Sequence, residues 1–180
     1  MSKVFEDNNR SAGLAAYDAG RLAEAYRLLL PFAEAGDAEV QSFVGSLLQC
    51  SVHRYDSIEQ IKAGTGPDVD EATRLADQEQ ARRYLEAASA AGIGPASFNL
   101  AGMYVGGYGG GTWLERKARA AELYDLAYAQ GFTAFGRFLQ GDGPGQTYLD
   151  AIEQHLEGNQ PDPPDWWPAG SCAASGDEGS

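Results

Sequence analysis

The chain has little cysteine, little histidine, little positive charge and no long apolar run, and each shortage removes a class of function. Its two cysteines, Cys50 and Cys172, stand far apart in the 180 residues and match no metal or redox spacing. They read as unpaired thiols in a reducing cytosol. Histidine is limited to His53 and His155, with no second histidine four residues away and no Cys-x-x-Cys nearby. A zinc site needs three or four convergent ligands, so no metal and no cofactor is expected. Lys and Arg number 13 against 26 Asp and Glu, a net charge of −13. Such a chain repels phosphate backbones and anionic lipid, which excludes nucleic-acid binding as a main activity and adsorption to membranes. No stretch approaches ~18 consecutive apolar residues, so no membrane span is expected. The opening MSKVFEDNNR lacks an apolar core, so no signal peptide is expected either, and the location reads as cytoplasmic.

What is present is ordinary for a globular domain: 43% hydrophobic and 22% charged residues. Alanine is frequent and β-branched residues are few. Apolar residues recur at three- and four-residue spacing and nothing alternates at period two, so the chain reads as all-α.

It also repeats. The segment ending at Gly36 aligns with the one ending at Gly92 at an offset of 56, and that with the one ending at Gly131 at an offset of 39. Eleven residues before each glycine stand Ala25, Ala81 and Ala120; eight before, Leu28, Tyr84 and Leu123; seven before, Leu29, Leu85 and Tyr124; four before, Phe32, Ala88 and Ala127. These positions form one stripe on a helix, and the glycine fits a left-handed C-cap. Beyond the glycine, Val40 matches Ala96, Val44 matches Leu100, Gly45 matches Ala101, and Leu47–Leu48 match Met103–Tyr104. The small residue at Gly45 and Ala101 predicts close approach of a neighbouring helix.

The unit Ala-x-x-φ-φ-x-x-Ala-x-x-x-Gly followed by small-x-x-x-φ-small-x-φ-Tyr, where φ is apolar, resembles the Sel-one-like repeat of the tetratricopeptide superfamily over roughly residues 11–141. The resemblance implies a short right-handed α-solenoid of helical hairpins. Two features depart from it. The interval of 56 implies an insertion of about 17–20 residues within about 51–78, and GGYGGGTW replaces the usual Gly-Val-x-x-Asp connector.

Helices are predicted over about 8–19, 21–35, 37–51, 56–62, 69–91, 95–105, 114–130 and 132–140. A C-terminal capping helix over 144–157 is read from Tyr148, Leu149, Ile152 and Leu156. One repeat domain thus covers 1–157, and 158–180 is a Pro/Gly/Ser-rich tail. In the tail, PDPPDWWP carries Trp166 and Trp167 as anchors, either docked on the C-terminal helices near Leu149, Ile152 or Phe138, or free to insert into a partner.

No catalytic constellation stands out. GGYGGG has no following Gly-Lys-Ser/Thr and reads as an inter-helix loop, with Trp113 stapling the next helix. Glu24, Glu34, Asp37, Glu39, Glu86 and Glu122 read as solvated helix faces, and no serine lies in a nucleophile elbow. The resemblance implies that the helix after each terminal glycine lines a concave binding side. Glu39, Ser42, Ser46, Gln49 and His53 on one such helix, and Ser97, Asn99 and Tyr104 on the next, would contact a partner there. The expected function is a non-catalytic bacterial protein-interaction module, an adaptor or regulator and not an enzyme. Its partner would be a protein or peptide, a basic one by charge, and the chain a monomer or weak homodimer. The alternative is a stoichiometric inhibitor, such as an immunity protein against a toxin, whose acidity would speed capture of a basic enzyme. An enzyme stands third.

Overall fold

The computed structural model describes residues 3–133, 145, 146, 148–150 and 153, with side chains from residue 8 onward. Among the described residues the fold is all-helical. The elements are α1 (Lys3–Asp18), α2 (Leu22–Glu34), α3 (Ala38–Gln49), a 3-10 turn (Val52–Arg54), α4 (Ile58–Ala63), α5 (Glu71–Ala90), α6 (Gly94–Val105) and α7 (Trp113–Ala129). They divide into two compact units, Met1–Ala96 and Ser97–Ser180.

The predicted helices recur with small shifts. The first begins at Lys3, several residues before its expected start, and the third stops at Gln49, two short of its expected end. Phe132 and Thr133 are not helical, and the rest of the segment expected over 132–140 lies outside the described residues.

The glycine stops work by one mechanism. Gly36, Gly92 and Gly131 have φ of +91°, +91° and +88°. At each, the glycine N–H donates to the carbonyl three residues back and the next N–H to the one five residues behind it. These are Gly36 to Ala33 and Asp37 to Phe32, Gly92 to Ser89 and Ile93 to Ala88, and Gly131 to Tyr128 and Phe132 to Ala127. This Schellman pattern needs a left-handed residue, which a Cβ disfavours.

The predicted stripe is buried where it matters most. Ala25, Ala81 and Ala120 are buried, as are Leu29, Leu85 and Tyr124. Leu28, Tyr84 and Phe32 are only half-buried. In the first unit α1 packs on α2, α2 on α3, and α3 on α5. The α3–α5 contact is close because Gly45 faces Leu85. A Cβ on Gly45 would stand 2.7 Å from both Leu85 Cγ and Cδ2. A second core cluster joins Ala16, Leu22, Ala25 and Leu47, and Tyr17, Tyr26, Val52 and Tyr55 pack against it.

In the second unit a capping box opens α7: the Thr112 hydroxyl accepts from the Glu115 N–H, and the Glu115 carboxylate accepts from the Thr112 N–H. Within the segment expected as a capping helix, Tyr148 and Leu149 are helical and buried, while Ile152 and Leu156 lie outside the described residues. The Gly145 N–H donates to Asp125 at 2.8 Å, and the Trp113 indole N–H donates to Glu153 at 2.9 Å. Lys117 pairs with Asp150 and Glu153. The rings of Phe98, Tyr124, Phe132 and Tyr148 stack beside one another at tilted or edge-on angles.

Candidate functional site

The predicted contact residues have separate fates. On α3, Glu39 is exposed and pairs with Arg10, whose Nε also reaches Asp37 at 2.8 Å. Asp37 caps α3 by accepting from the Val40 N–H, and the Arg10 guanidinium holds its carboxyl below the usual range. Ser46 is half-buried; its hydroxyl donates to the Phe43 carbonyl and lies 3.1 Å from the Tyr17 hydroxyl. Gln49 is half-buried at the end of α3. In the second unit Asn99 and Tyr104 are half-buried, and the Tyr104 ring meets Tyr108 edge-on.

Three expected surface residues are packing residues instead. Ser42 is buried in α3. Ser97 is buried and its hydroxyl donates to Gln130 Oε1 at 2.6 Å. The His53 side chain is only 9% exposed, its ring 4.5 Å from that of Tyr26. The Ser97 hydroxyl, given an internal partner, loses little by leaving water. Trp166 and Trp167 lie outside the described residues. Cys50 is disulfide-bonded, which corrects the expectation of a free thiol; Cys172 lies outside the described residues.

The carboxylates considered for acid–base work are mostly engaged in ion pairs or caps. Glu24 pairs with Arg21, Glu86 with Arg82, and Glu122 with Arg119. Among the described residues no three His, Cys, Asp or Glu converge as metal ligands, and no helix is long and apolar enough to cross a membrane.

The most constructed feature is one whose internal organisation the sequence did not reveal. The thirteen residues of α2 align with the last thirteen of α5, so the departure from the repeat runs over residues 51–77. Ser51 leaves α3 with φ of 54°, a left-handed conformation uncommon for serine. The segment then returns on itself. Arg54, at its start, grips Asp77, at its end, through two bonds of 3.0 Å (Nε) and 2.8 Å (Nη2). The Asp77 side chain is only 8% exposed, and His53 Nε2 lies 3.9 Å from its Oδ1. Burial is the largest single influence on Asp77 and opposes its ionisation, but the Arg54 fork, Ser51 and the neighbouring positive charge together outweigh it and keep the carboxyl below its ordinary range. Burial pushes His53 down in turn, against the attraction of Asp77.

Further contacts seat the segment. The Ala23 N–H donates to the Tyr55 carbonyl at 3.0 Å. The Tyr55 ring covers Gly66 so closely that a Cβ there would be 1.7 Å from Cε1. Ile58 lies beside Gly20, and Gly64, at φ +62°, ends α4.

No protein-family model matches the chain, and neither a curated protein nor a solved structure gives a significant match.

Proposed function

We propose that the chain is a non-catalytic protein-interaction module, a short α-solenoid of Sel-one-like hairpins acting as an adaptor or regulator. The observation that supports this reading is the threefold recurrence of one helix end, with the same hydrogen bonds and the same two buried positions before it. Tandem repeats of this kind build extended surfaces rather than deep pockets. Within the first unit the accessible part of the α3 face is Glu39, Gln49 and part of Ser46; within the second it is Asn99 and Tyr104. A basic partner suits the −13 charge, because many of the described cations are already tied to carboxylates. The same surplus of carboxylates supports, as a second reading, an inhibitor of a basic enzyme.

Affinity capture of the tagged full chain from the cells that make it, followed by mass spectrometry, tests the proposal. One protein in stoichiometric yield is expected, with the yield falling sharply for Gln49→Arg. Absence of any stoichiometric partner overturns the module reading, and an unchanged yield with Gln49→Arg removes the α3 face from it.

A further inference from the structure

The neck of the segment 51–77, where Arg54 and Asp77 join its two ends, encloses a titratable ring in a stretch of chain that is otherwise loosely held. From 52 to 70 every residue is half-buried or exposed, yet the His53 side chain is only 9% exposed. It sits on the three-residue 3-10 turn that follows Ser51 and its left-handed backbone. Few contacts seat this turn and α4. They are the Arg54–Asp77 clamp, the Ala23 N–H on the Tyr55 carbonyl, Ile58 beside Gly20, and Val52 and Tyr55 against the cluster of Ala16, Leu22, Ala25 and Leu47. The contact of Leu85 with Gly45, where α3 meets α5, uses none of these residues. A stretch with so few buried contacts opens at lower cost than the core beneath it.

The surroundings of His53 suit a neutral ring. From α2 comes the Tyr26 ring, the two centroids 4.5 Å apart. From α5 comes Asp77, its Oδ1 3.9 Å from Nε2; α3 brings the Leu47 carbonyl, and the turn itself brings Arg54. Both Asp77 oxygens already accept from Arg54, and His53 Nδ1 is buried with no hydrogen-bond partner. A protonated imidazole carries two N–H donors. In the closed segment Nδ1 has no bonded acceptor, and Nε2 stands beyond hydrogen-bond reach of a carboxylate that Arg54 holds. In an open segment both donors meet water. Burial and Arg54 oppose the charge, Asp77 and the Leu47 carbonyl favour it, and burial prevails. Protons therefore bind the open form better and shift the population toward it.

We propose that residues 52–66 form a pH-sensitive latch: protonation of His53 releases the 3-10 turn and α4 from α2 and α5 while the packing of α3 on α5 stays intact. Release withdraws Val52 and Tyr55 from the cluster of Ala16, Leu22, Ala25 and Leu47, so acid uncovers apolar surface there. The latch does not depend on the module reading.

Amide hydrogen exchange on the full chain carrying His155→Gln, which leaves His53 as its one histidine, tests the latch. Rates at pH 7.5 and 5.5 are each divided by the intrinsic rate at that pH. The amides of Ala23 and Tyr55 report the latch, since the Ala23 N–H bonds to it and the Tyr55 N–H closes the turn on Val52; Leu85 reports the core. At pH 7.5 the latch amides should be about tenfold or more less protected than Leu85. At pH 5.5 their protection should fall by a further factor of about three to ten, the upper limit set by an open histidine that ionises near about 6.5. The same loss should be absent when His53→Gln is added. Latch amides as protected as Leu85 would mean that the segment opens only with the whole fold, and would overturn the proposal. Protection that does not change with pH overturns it too, and so does an equal loss with His53→Gln, which would assign the effect to another group. A direct proton NMR titration of the His53 ring needs no variant at position 53: a midpoint below the ordinary histidine value is expected, and one at or above it overturns the latch.

Discussion

The packing of α3 on α5 and the segment 51–77 are held by different physics, although both belong to the first unit. Where α3 meets α5, apolar side chains and one absent Cβ do the work: Leu85 occupies the space that a side chain at position 45 would need. In the segment, six residues of α4 bury no side chain fully, and the shape depends on a bidentate ion pair, one backbone bond to Ala23 and an aromatic ring on a glycine. Apolar packing tolerates no gap but needs no partner of a particular charge. The clamp needs a specific partner and loses little if both partners become apolar.

The largest expected effect is in the repeat. Leu85→Ala should destabilise by about 2–5 kcal/mol through lost transfer energy and a residual cavity. Gly45→Ala should cost about 1–3 kcal/mol from overpacking against the same side chain. The double variant should be more stable than the sum of the two losses, because the new methyl enters the space that Leu85 leaves. Urea denaturation measures all three, and strict additivity would show that these positions do not face each other.

In the segment, Arg54→Ala should cost about 2–4 kcal/mol, discounted from the fully buried case because the Arg54 side chain is about a third exposed. The replacement of both partners, Arg54→Met with Asp77→Leu, should recover most of that loss. No recovery would mean that the pair contributes net stability, and the contrast with the repeat would fail.

The Schellman ends offer a smaller and more uniform test. Nothing lies within 4 Å of a Cβ placed on Gly36, Gly92 or Gly131, so alanine there meets strain but no clash. Each substitution should cost about 1–2 kcal/mol, the penalty for left-handed backbone. Three equal losses would bind the three ends into one repeat, and unequal ones would separate them.

These differences also explain what the sequence made legible. The glycine stops, the buried positions seven and eleven residues before them, and the close approach at Gly45 are local signals, so they could be read directly. The interval of 56 betrayed an insertion but not its clamp, because Arg54 and Asp77 are 23 residues apart with no pattern linking them. Site residues were harder. The resemblance implies a partner-facing surface for Ser42, Ser97 and His53, yet the first two are buried and the His53 side chain is only 9% exposed. Arg10 ties α1 to Asp37 and Glu39, and a lone arginine on a helix has no sequence signature for such a role.

The smallest effect concerns pH and isolates the neck of the segment. His53 lies against Tyr26 with Asp77 and Arg54 beside it, and burial lowers its pKa despite the carboxylate. A histidine ionises near about 6.5 in an unfolded chain. Between that value and its lower folded value the unfolded chain binds more protons than the folded one, so stability falls as pH falls through this window. The paired carboxylates act in the same direction but further into acid. Asp37 and Asp77 have folded values below the ordinary range, so their contribution persists above it and is lost only as pH drops through those lower values. Wild type should therefore lose stability in two steps. With His155→Gln in both proteins to remove the other histidine, His53→Gln should abolish the first step and keep the second. Denaturation midpoints at pH 7.5, 5.5 and 3.5 distinguish them. Stability that rises between pH 7.5 and 5.5 would mean that Asp77 charges His53 within the fold, and the neck would then be a three-membered ion network rather than an arginine–aspartate pair with a neutral imidazole beside it.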